Sequence, residues 1–170
     1  MPWLLFETKW GWSGVLATPD GSVVQKLILP QNQPDLELQI VKADEPLFYI
    51  RPDDRSVNLV NRIRDYFMGK IINAWEVQLD LSGLPAFSQT VLRAVSTIPY
   101  GATSSYGEIA GIAGNPKAAR AVGQIMKNNP IPLIIPCHRV LAANGWGGFS
   151  GPGGVKLKQR MLQLEKKISP

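Results

Sequence analysis

The chain of 170 residues contains one cysteine, Cys137, and one histidine, His138, and the two are neighbours. A single cysteine cannot close a disulfide within the chain. One cysteine and one histidine also cannot complete a four-ligand structural zinc site without carboxylates in unusual roles. The fold must therefore be held by a hydrophobic core. The composition allows this, because 45% of the residues are hydrophobic and 18% are charged.

The first residues give no sign of a signal peptide, because Met1–Glu7 has no basic start and no long apolar stretch. The longest apolar run, Ile131–Cys137, is far shorter than the roughly 20 residues that cross a bilayer. These patterns predict a soluble protein with no membrane partner, located in the cytoplasm, or in the nucleus if the source is eukaryotic.

Charge is unevenly distributed along the chain, whose net charge is +5. Residues 1–85 hold 8 Lys/Arg and 11 Asp/Glu, which gives −3. Residues 86–170 hold 10 Lys/Arg and 2 Asp/Glu, which gives +8. A basic half attracts polyanions, of which nucleic acid is the first candidate, although basic domains without that function are common.

The pattern of elements predicts an α+β fold with two domains, 1–85 and 86–170, joined near Leu81–Pro85. In the first domain, residues 30–55 read as an irregular connection with one short strand near Leu47–Ile50. Pro19-Asp20-Gly21 indicates a hairpin turn, because glycine supplies the positive φ that tight turns need. The other predicted elements of this domain are strands at Trp3–Lys9, Gly14–Thr18 and Ser22–Leu29, and a helix from Ser56 to about Met68.

The second domain is predicted to be mainly helical. Asn115 followed by Pro116 suits a helix cap with proline in the first helical position. Two helices joined by a tight glycine-containing turn form a helix-turn-helix pattern, which binds DNA in some proteins and is only a packing unit in others. The predicted helices are Pro85–Thr97, Ser105–Ala113, Pro116–Lys127 and Val155 to about Lys167.

Cys137 has two possible roles, a small core residue or a nucleophile. A lone cysteine after an apolar run is most often a core residue. Prolines before it stiffen the backbone, and His138 and Arg139 follow at once, so that positive charge nearby favours a thiolate. His138 could be a structural histidine or the base for this thiol, and neighbours in an extended segment point to opposite faces. A carboxylate that orients the imidazole could come only from Glu108 or Glu165 within the basic half.

The run Ile135–Val140 reads Ile-Pro-Cys-His-Arg-Val and resembles the active-site motif of the O6-alkylguanine-DNA alkyltransferases, or methylated-DNA–protein-cysteine methyltransferases. The resemblance covers about residues 86–165, whereas the first half carries no diagnostic motif. The other blocks that resemble the family, in order and at its spacing, are Ile98–Gly101, Ser105–Ala110, Gly114–Gly123, Asn129–Pro130, Gly145–Gly154 and Leu162–Glu165.

The resemblance implies a small ribonuclease H-like α/β domain with a structural role, followed by a winged-helix-like domain that binds DNA and transfers the alkyl group. The implied activity is DNA repair by single-turnover transfer of the alkyl group from O6-alkylguanine, and from O4-alkylthymine, to Cys137. The implied partner is double-stranded DNA, bound in the minor groove with the damaged base flipped out. The protein is expected to be a monomer.

By resemblance, His138 takes the thiol proton through a water, Glu165 orients His138, and Tyr106 donates to the leaving base. Arg120 is the expected finger that fills the place of the flipped base. The other residues implied to contact DNA are Thr103, Ser105, Ala118, Ala119, Ala121, Gly123 and Lys127.

The implied guanine pocket is built from five further residues. The carbonyls of Cys137 and Val140 accept from the exocyclic amine, and the Ser150 amide approaches O6. Met126 and Phe149 flank the ring, although the family pattern has tyrosine at the latter place, so a hydroxyl is missing there. Asn129 ties the helix end to the cysteine segment.

No cofactor is expected, because transfer to a thiolate needs none. No metal site is expected either. Some members of the family bind zinc near the N-terminus, but here no Cys or His precedes residue 137. Two other classes of function compete with this one. The first is a non-catalytic DNA-binding protein, either a helix-turn-helix regulator or a relative that senses alkylated guanine without repairing it; relatives that only sense lack the motif cysteine, which this chain has. A cysteine hydrolase would need a histidine elsewhere in the chain.

Overall fold

The computed structural model describes residues 1–40, 45–51, 53–54 and 57–166. The chain divides into two compact units, Met1–Asp80 and Leu81–Pro170. Strands and helices occur together, so the predicted mixed α and β fold is confirmed. In the described part of the chain, no helix has the length and apolar character needed to cross a membrane.

The first unit contains a five-stranded sheet in the order β4-β1-β2-β3-β5. Strands β1, β2 and β3 form antiparallel neighbours, whereas β4 and β5 add at the edges in parallel. Gly21 has φ +73°, as the predicted hairpin turn requires. The strands are β1 Trp3–Thr8, β2 Gly11–Ala17, β3 Val23–Gln31, β4 Leu47–Ile50 and β5 Gln78–Leu79.

A helix, α1 at Gln33–Ile40, lies in the stretch that was expected to be irregular, so that part of the prediction is wrong. Leu36 and Ile40 are one helical turn apart and both fully buried, in one cluster with Leu5 and Leu16 of the sheet. The helix forms because these two side chains cover the sheet, and its polar neighbours hid this pattern in the sequence.

Helix α2 spans Asn58–Phe67 and presents Val60, Ile63 and Phe67 to the core of the first unit. The predicted start at Ser56 lies outside the described residues. On the same face, Arg64 is buried, and its guanidinium donates to the backbone carbonyls of residues 7, 50, 51 and 54. The buried guanidinium thus donates its hydrogen bonds to carbonyl oxygens near or just after the ends of β1 and β4.

The second unit is mainly helical, as predicted, and α4 packs against both α3 and α5. Helix α5 begins at Ala119, so the expected cap at Asn115 with Pro116 in the first turn is wrong. The Ala118 amide donates to the Asn115 carbonyl instead, which makes residues 115–118 a separate turn. The elements are α3 Ala86–Ser96, β6 Ser104–Ser105, α4 Tyr106–Ile112, α5 Ala119–Lys127, a 3₁₀ turn Cys137–Arg139, β7 Val140–Leu141 and α6 Val155–Lys166.

Candidate active site

Cys137 begins a single 3₁₀ turn, not the extended segment that adjacency with His138 suggested. The Cys137 amide donates to the Ile135 carbonyl at 2.8 Å, and the Arg139 amide donates to the Pro136 carbonyl at 2.8 Å. Upstream, Leu133 has φ +77°, a strained conformation for a branched side chain. This tight backbone holds the thiol in one direction.

Asn129, two residues beyond the end of α5, ties that helix to the cysteine segment. Its Nδ2 donates to the Ile135 carbonyl at 2.9 Å, and its Oδ1 accepts from the Ile131 amide at 3.0 Å. The same side chain also hydrogen-bonds Cys137. The segment that carries the thiol is therefore fixed to the helix that precedes it.

Cys137 is 5% exposed and lines a cavity of about 400 Å³, a size that suits a small planar ligand. The structure brings together there many of the residues expected from the sequence, and it adds Gln124 and Gly148. Thr103, Ser105, Ala118, Ala121, Asn129 and Val140 are not in the wall. The full lining is Tyr106, Ala119, Arg120, Gly123, Gln124, Met126, Lys127, Cys137, Gly148, Phe149 and Ser150.

Glu165 is the carboxylate that meets His138: its Oε1 lies 2.6 Å from Nε2, and both side chains are fully buried. Because a carboxylate only accepts, this bond puts the imidazole proton on Nε2 and the lone pair on Nδ1. The other acid of the basic half, Glu108, is exposed and forms a capping box with Ser105 at the start of α4. That cap also occupies the Ser105 hydroxyl.

Arg139 adds a second buried partner to the same carboxylate. Its Nε and Nη2 lie 3.0 Å from the two oxygens of Glu165, and its Nη1 donates to the Ile98 carbonyl. Burial by itself would raise the pKa of Glu165, but the hydrogen bonds from His138 and Arg139 and the guanidinium charge lower it to about 2. Glu165 is thus ionised at neutral pH.

The resting state follows from the burial of the thiol and the imidazole. Burial raises the pKa of Cys137, although hydrogen bonds and the charge of Lys158 partly oppose this. Burial lowers the pKa of His138, against the hydrogen bond and charge of Glu165 and together with the charges of Arg139 and Lys158. Both groups are neutral at rest, so the proton is on sulfur and the base is ready to accept it.

Lys158 was missed by the sequence analysis, because a lysine on a terminal helix is normally solvated. Its side chain is fully buried, and Nζ donates to the Val140 carbonyl at 2.7 Å and to the Gly148 carbonyl at 3.3 Å. Burial lowers its pKa to about 8. One signal was present, since residues 158, 161, 162 and 165 share one face of α6 by helical spacing, and all four are buried.

The outer face of α5 borders the cavity, and it carries Arg120, Ala121, Gln124 and Lys127, all exposed. Gly123 lies in the middle of this helix, where glycine costs about 1 kcal/mol relative to alanine. A Cβ at this position would meet no atom within 4 Å. Internal packing therefore gives no reason for glycine here.

Fold and site together define a mixed α/β protein whose one thiol lies in a cavity beside a buried imidazole–carboxylate pair and a basic helix face. A family model for the 6-O-methylguanine DNA methyltransferase DNA-binding domain matches residues 86–167. The methylated-DNA–protein-cysteine methyltransferase of Mycobacterium bovis is 47% identical over 112 residues, or 65% of this chain and 66% of that protein. The match thus spans slightly less than two thirds of that relative.

The corresponding protein of Methanosarcina acetivorans is 38% identical over 125 residues, which cover 73% of this chain and 78% of that protein. Mycobacterium tuberculosis OGT, solved in complex with DNA, superposes with TM-score 0.80 at 35% identity and covers 100% of this chain and 96% of that one. The Pyrococcus kodakaraensis O6-methylguanine-DNA methyltransferase shares the fold, with TM-score 0.68 at 23% identity and coverage of 96% and 98%. The chain belongs to the methylated-DNA–protein-cysteine methyltransferase family.

Proposed function

We propose that this protein repairs DNA by moving the alkyl group from O6 of guanine to the sulfur of Cys137. The observation that carries this proposal is the position of the thiol. It lines a cavity walled by Tyr106, Met126 and Phe149, and the residue after it is held by a buried carboxylate. Apolar and aromatic walls suit a purine ring, and a cavity of about 400 Å³ accommodates one.

The reaction begins when the neutral imidazole of His138 takes the thiol proton through a water at Nδ1. Glu165 holds Nε2–H and stabilises the imidazolium that forms. The thiolate then attacks the alkyl carbon in line. The S–C bond forms, the C–O6 bond breaks, and the electron pair leaves with the guanine.

Tyr106 supplies the proton that the departing guanine needs. Burial and the nearby Cys137 raise the pKa of this phenol, which keeps it protonated at neutral pH. The Tyr106 phenolate then regains a proton from the His138 imidazolium through solvent, and the products are guanine and a thioether on Cys137. The chain has no second cysteine to remove the alkyl group, so each molecule reacts once.

The damaged base must leave the helical stack, because its O6 cannot otherwise reach a thiol that is 5% exposed. Arg120 is exposed at the cavity wall and would occupy the vacated place in the duplex. Gly123 and Ala121 let the backbone of α5 approach DNA closely. With no internal reason for a glycine at 123, an external surface such as the minor groove supplies one.

The relatives support the DNA partner, since Mycobacterium tuberculosis OGT has been solved in complex with DNA at 35% identity. We extend the substrate class to O4-alkylthymine, whose alkyl carbon is equally open to in-line attack. The proposed division of labour makes the first, ribonuclease H-like unit structural. The second, winged-helix-like unit binds DNA, and the protein acts as a monomer.

The test is intact-protein mass spectrometry after incubation with a duplex that carries O6-methylguanine. Wild type should gain the mass of one methylene group, and Cys137→Ala should gain none. A folded wild-type protein that binds this duplex but gains no mass would contradict the transfer and favour the sensing function.

A further inference from the structure

Gly147 lies beside the ring and hydroxyl of Tyr106, with no space between them for a side chain. A Cβ added at residue 147 would lie 2.7 Å from Oη, 3.0 Å from Cε2 and 3.2 Å from Cζ of that ring. Real Cβ atoms do not approach so closely, and the phenol has no room on this side. Gly147 also has φ +67°, a conformation that favours glycine. Because residue 147 has no side chain, the Tyr106 hydroxyl can occupy the position that it has in the structure.

The next residue gives that hydroxyl a direction. Burial raises the pKa of the Tyr106 phenol, and a hydrogen bond from the backbone amide of Gly148 to the hydroxyl partly opposes this rise. An amide N–H can only donate, so the phenol oxygen accepts here and keeps its own O–H for another acceptor. Tyr106 and Gly148 both line the cavity, which is where a base would supply that acceptor.

Lys158 holds the other end of the same residue. Its Nζ donates to the Gly148 carbonyl at 3.3 Å and to the Val140 carbonyl at 2.7 Å, directly after the cysteine turn. Gly148 thus lies between a phenol at its amide and an ammonium at its carbonyl. The buried ammonium anchors a glycine-rich loop that otherwise has few side chains to hold it.

We propose that Gly147 and Lys158 are positioning residues: the backbone of Gly147 and Gly148, anchored by the Lys158 ammonium, aims the Tyr106 hydroxyl into the cavity. The proposal rests on the proposed function, because the acceptor is the leaving base. It assigns a role to two residues that never touch the substrate, and it explains why a lysine is buried in α6.

The first test compares Gly147→Ala with Gly153→Ala, using single-turnover methyl transfer from an O6-methylguanine duplex. Gly153 has φ +79° and nothing within 4 Å of its Cβ position, so the control carries the same backbone strain without the contact. Gly147→Ala should slow transfer on the order of tenfold to hundredfold, which is the range for losing a placed proton donor. Equal effects of the two variants would overturn the proposal.

A double-mutant cycle shows whether the loss passes through the phenol. In a Tyr106→Phe background, Gly147→Ala should cost far less than in wild type, because there is no hydroxyl left to misplace. Lys158→Met should keep only the part of its cost that comes from the loss of its charge near Cys137. Losses that simply add would mean that both residues act through general loop structure. Thermal unfolding of every variant identifies any that fails to fold.

The closing experiment is ¹³C NMR of tyrosine Cζ in the unalkylated protein, without DNA. Gly147→Ala and Lys158→Met should each move the Tyr106 resonance and raise its titration midpoint, whereas Gly153→Ala should not. An unchanged Tyr106 signal would overturn the positioning role even if methyl transfer occurs. Absence of transfer in wild type would overturn the proposed function, and the NMR result would still decide the positioning.

Discussion

His138 Nε2 lies 2.6 Å from Glu165 Oε1, and neither side chain is exposed to solvent. Glu165 also receives two nitrogens of Arg139 and the amide of Gly101. One ionised carboxylate therefore orients the imidazole and balances the charge of a buried guanidinium. The interactions with His138 and Arg139 explain why an acidic residue, Glu165, occurs in the basic second half of the chain.

Glu165→Gln should slow methyl transfer on the order of a hundredfold or more, because an amide cannot stabilise the imidazolium that forms on His138. The matched control is Glu108→Gln, the other acid of this half, which lies in an exposed capping box. Single-turnover rates on an O6-methylguanine duplex measure both. Comparable losses in the two variants would separate Glu165 from the chemistry.

Acid should destabilise the protein over a defined interval. The pKa of Glu165 is about 2 when folded and 4.5 in the reference state, so its contribution is complete above pH 4.5 and disappears as the pH falls towards 2. The difference corresponds to about 3 kcal/mol in the free energy of unfolding. Urea unfolding of wild type and Glu165→Gln between pH 6 and pH 3 should show the larger part of this loss, in wild type only.

Lys158→Met should shift the alkylation of Cys137 by iodoacetamide to higher pH, because the Lys158 charge lowers the pKa of the thiol and favours the thiolate. The chain has one thiol, so the rate reports this site alone. Lys156→Met removes an exposed charge from the same helix and serves as the control. An unshifted profile in the first variant would show that the ammonium does not influence the sulfur.

Gly123→Ala should affect folding and DNA binding in opposite directions. The new methyl group meets nothing within 4 Å, so the free energy of unfolding should rise by about 1 kcal/mol. The same methyl group would stand between α5 and DNA and weaken binding, measured by fluorescence anisotropy. Gly111→Ala, which also has open space at Cβ, should stabilise α4 and leave binding as it was.

Arg120→Ala should slow repair of a duplex on the order of tenfold or more, since flipping a base costs a few kcal/mol of stacking and pairing. The free base O6-benzylguanine needs no flipping, so its reaction with Cys137 should change little. A ratio of the two rates equal to that of wild type would exclude a finger role.

Sequence patterns sufficed for strands β1 to β4 of the first unit and, apart from the start of α5, for the helices of the second, because apolar spacing and turn residues are local signals. Helix α1 was missed, since its few apolar residues become meaningful only against the sheet. The sequence offered two acids for His138 and could not choose by spacing alone. The fold distinguishes the two acids. The Glu108 carboxylate accepts from the Ser105 amide in the capping box of α4, whereas α6 places Glu165 beside the imidazole.

Lys158 and Glu165 stand seven residues apart on α6, about two helical turns, with their buried ends fixed to different loops. Adding or removing one residue between them would rotate one relative to the other by about 100°. One of the two charges would then face solvent, and either the glycine-rich loop or the imidazole would lose its support. The number of residues between Lys158 and Glu165 is therefore constrained by the whole site, more strictly than the lengths of the loops that the two side chains hold.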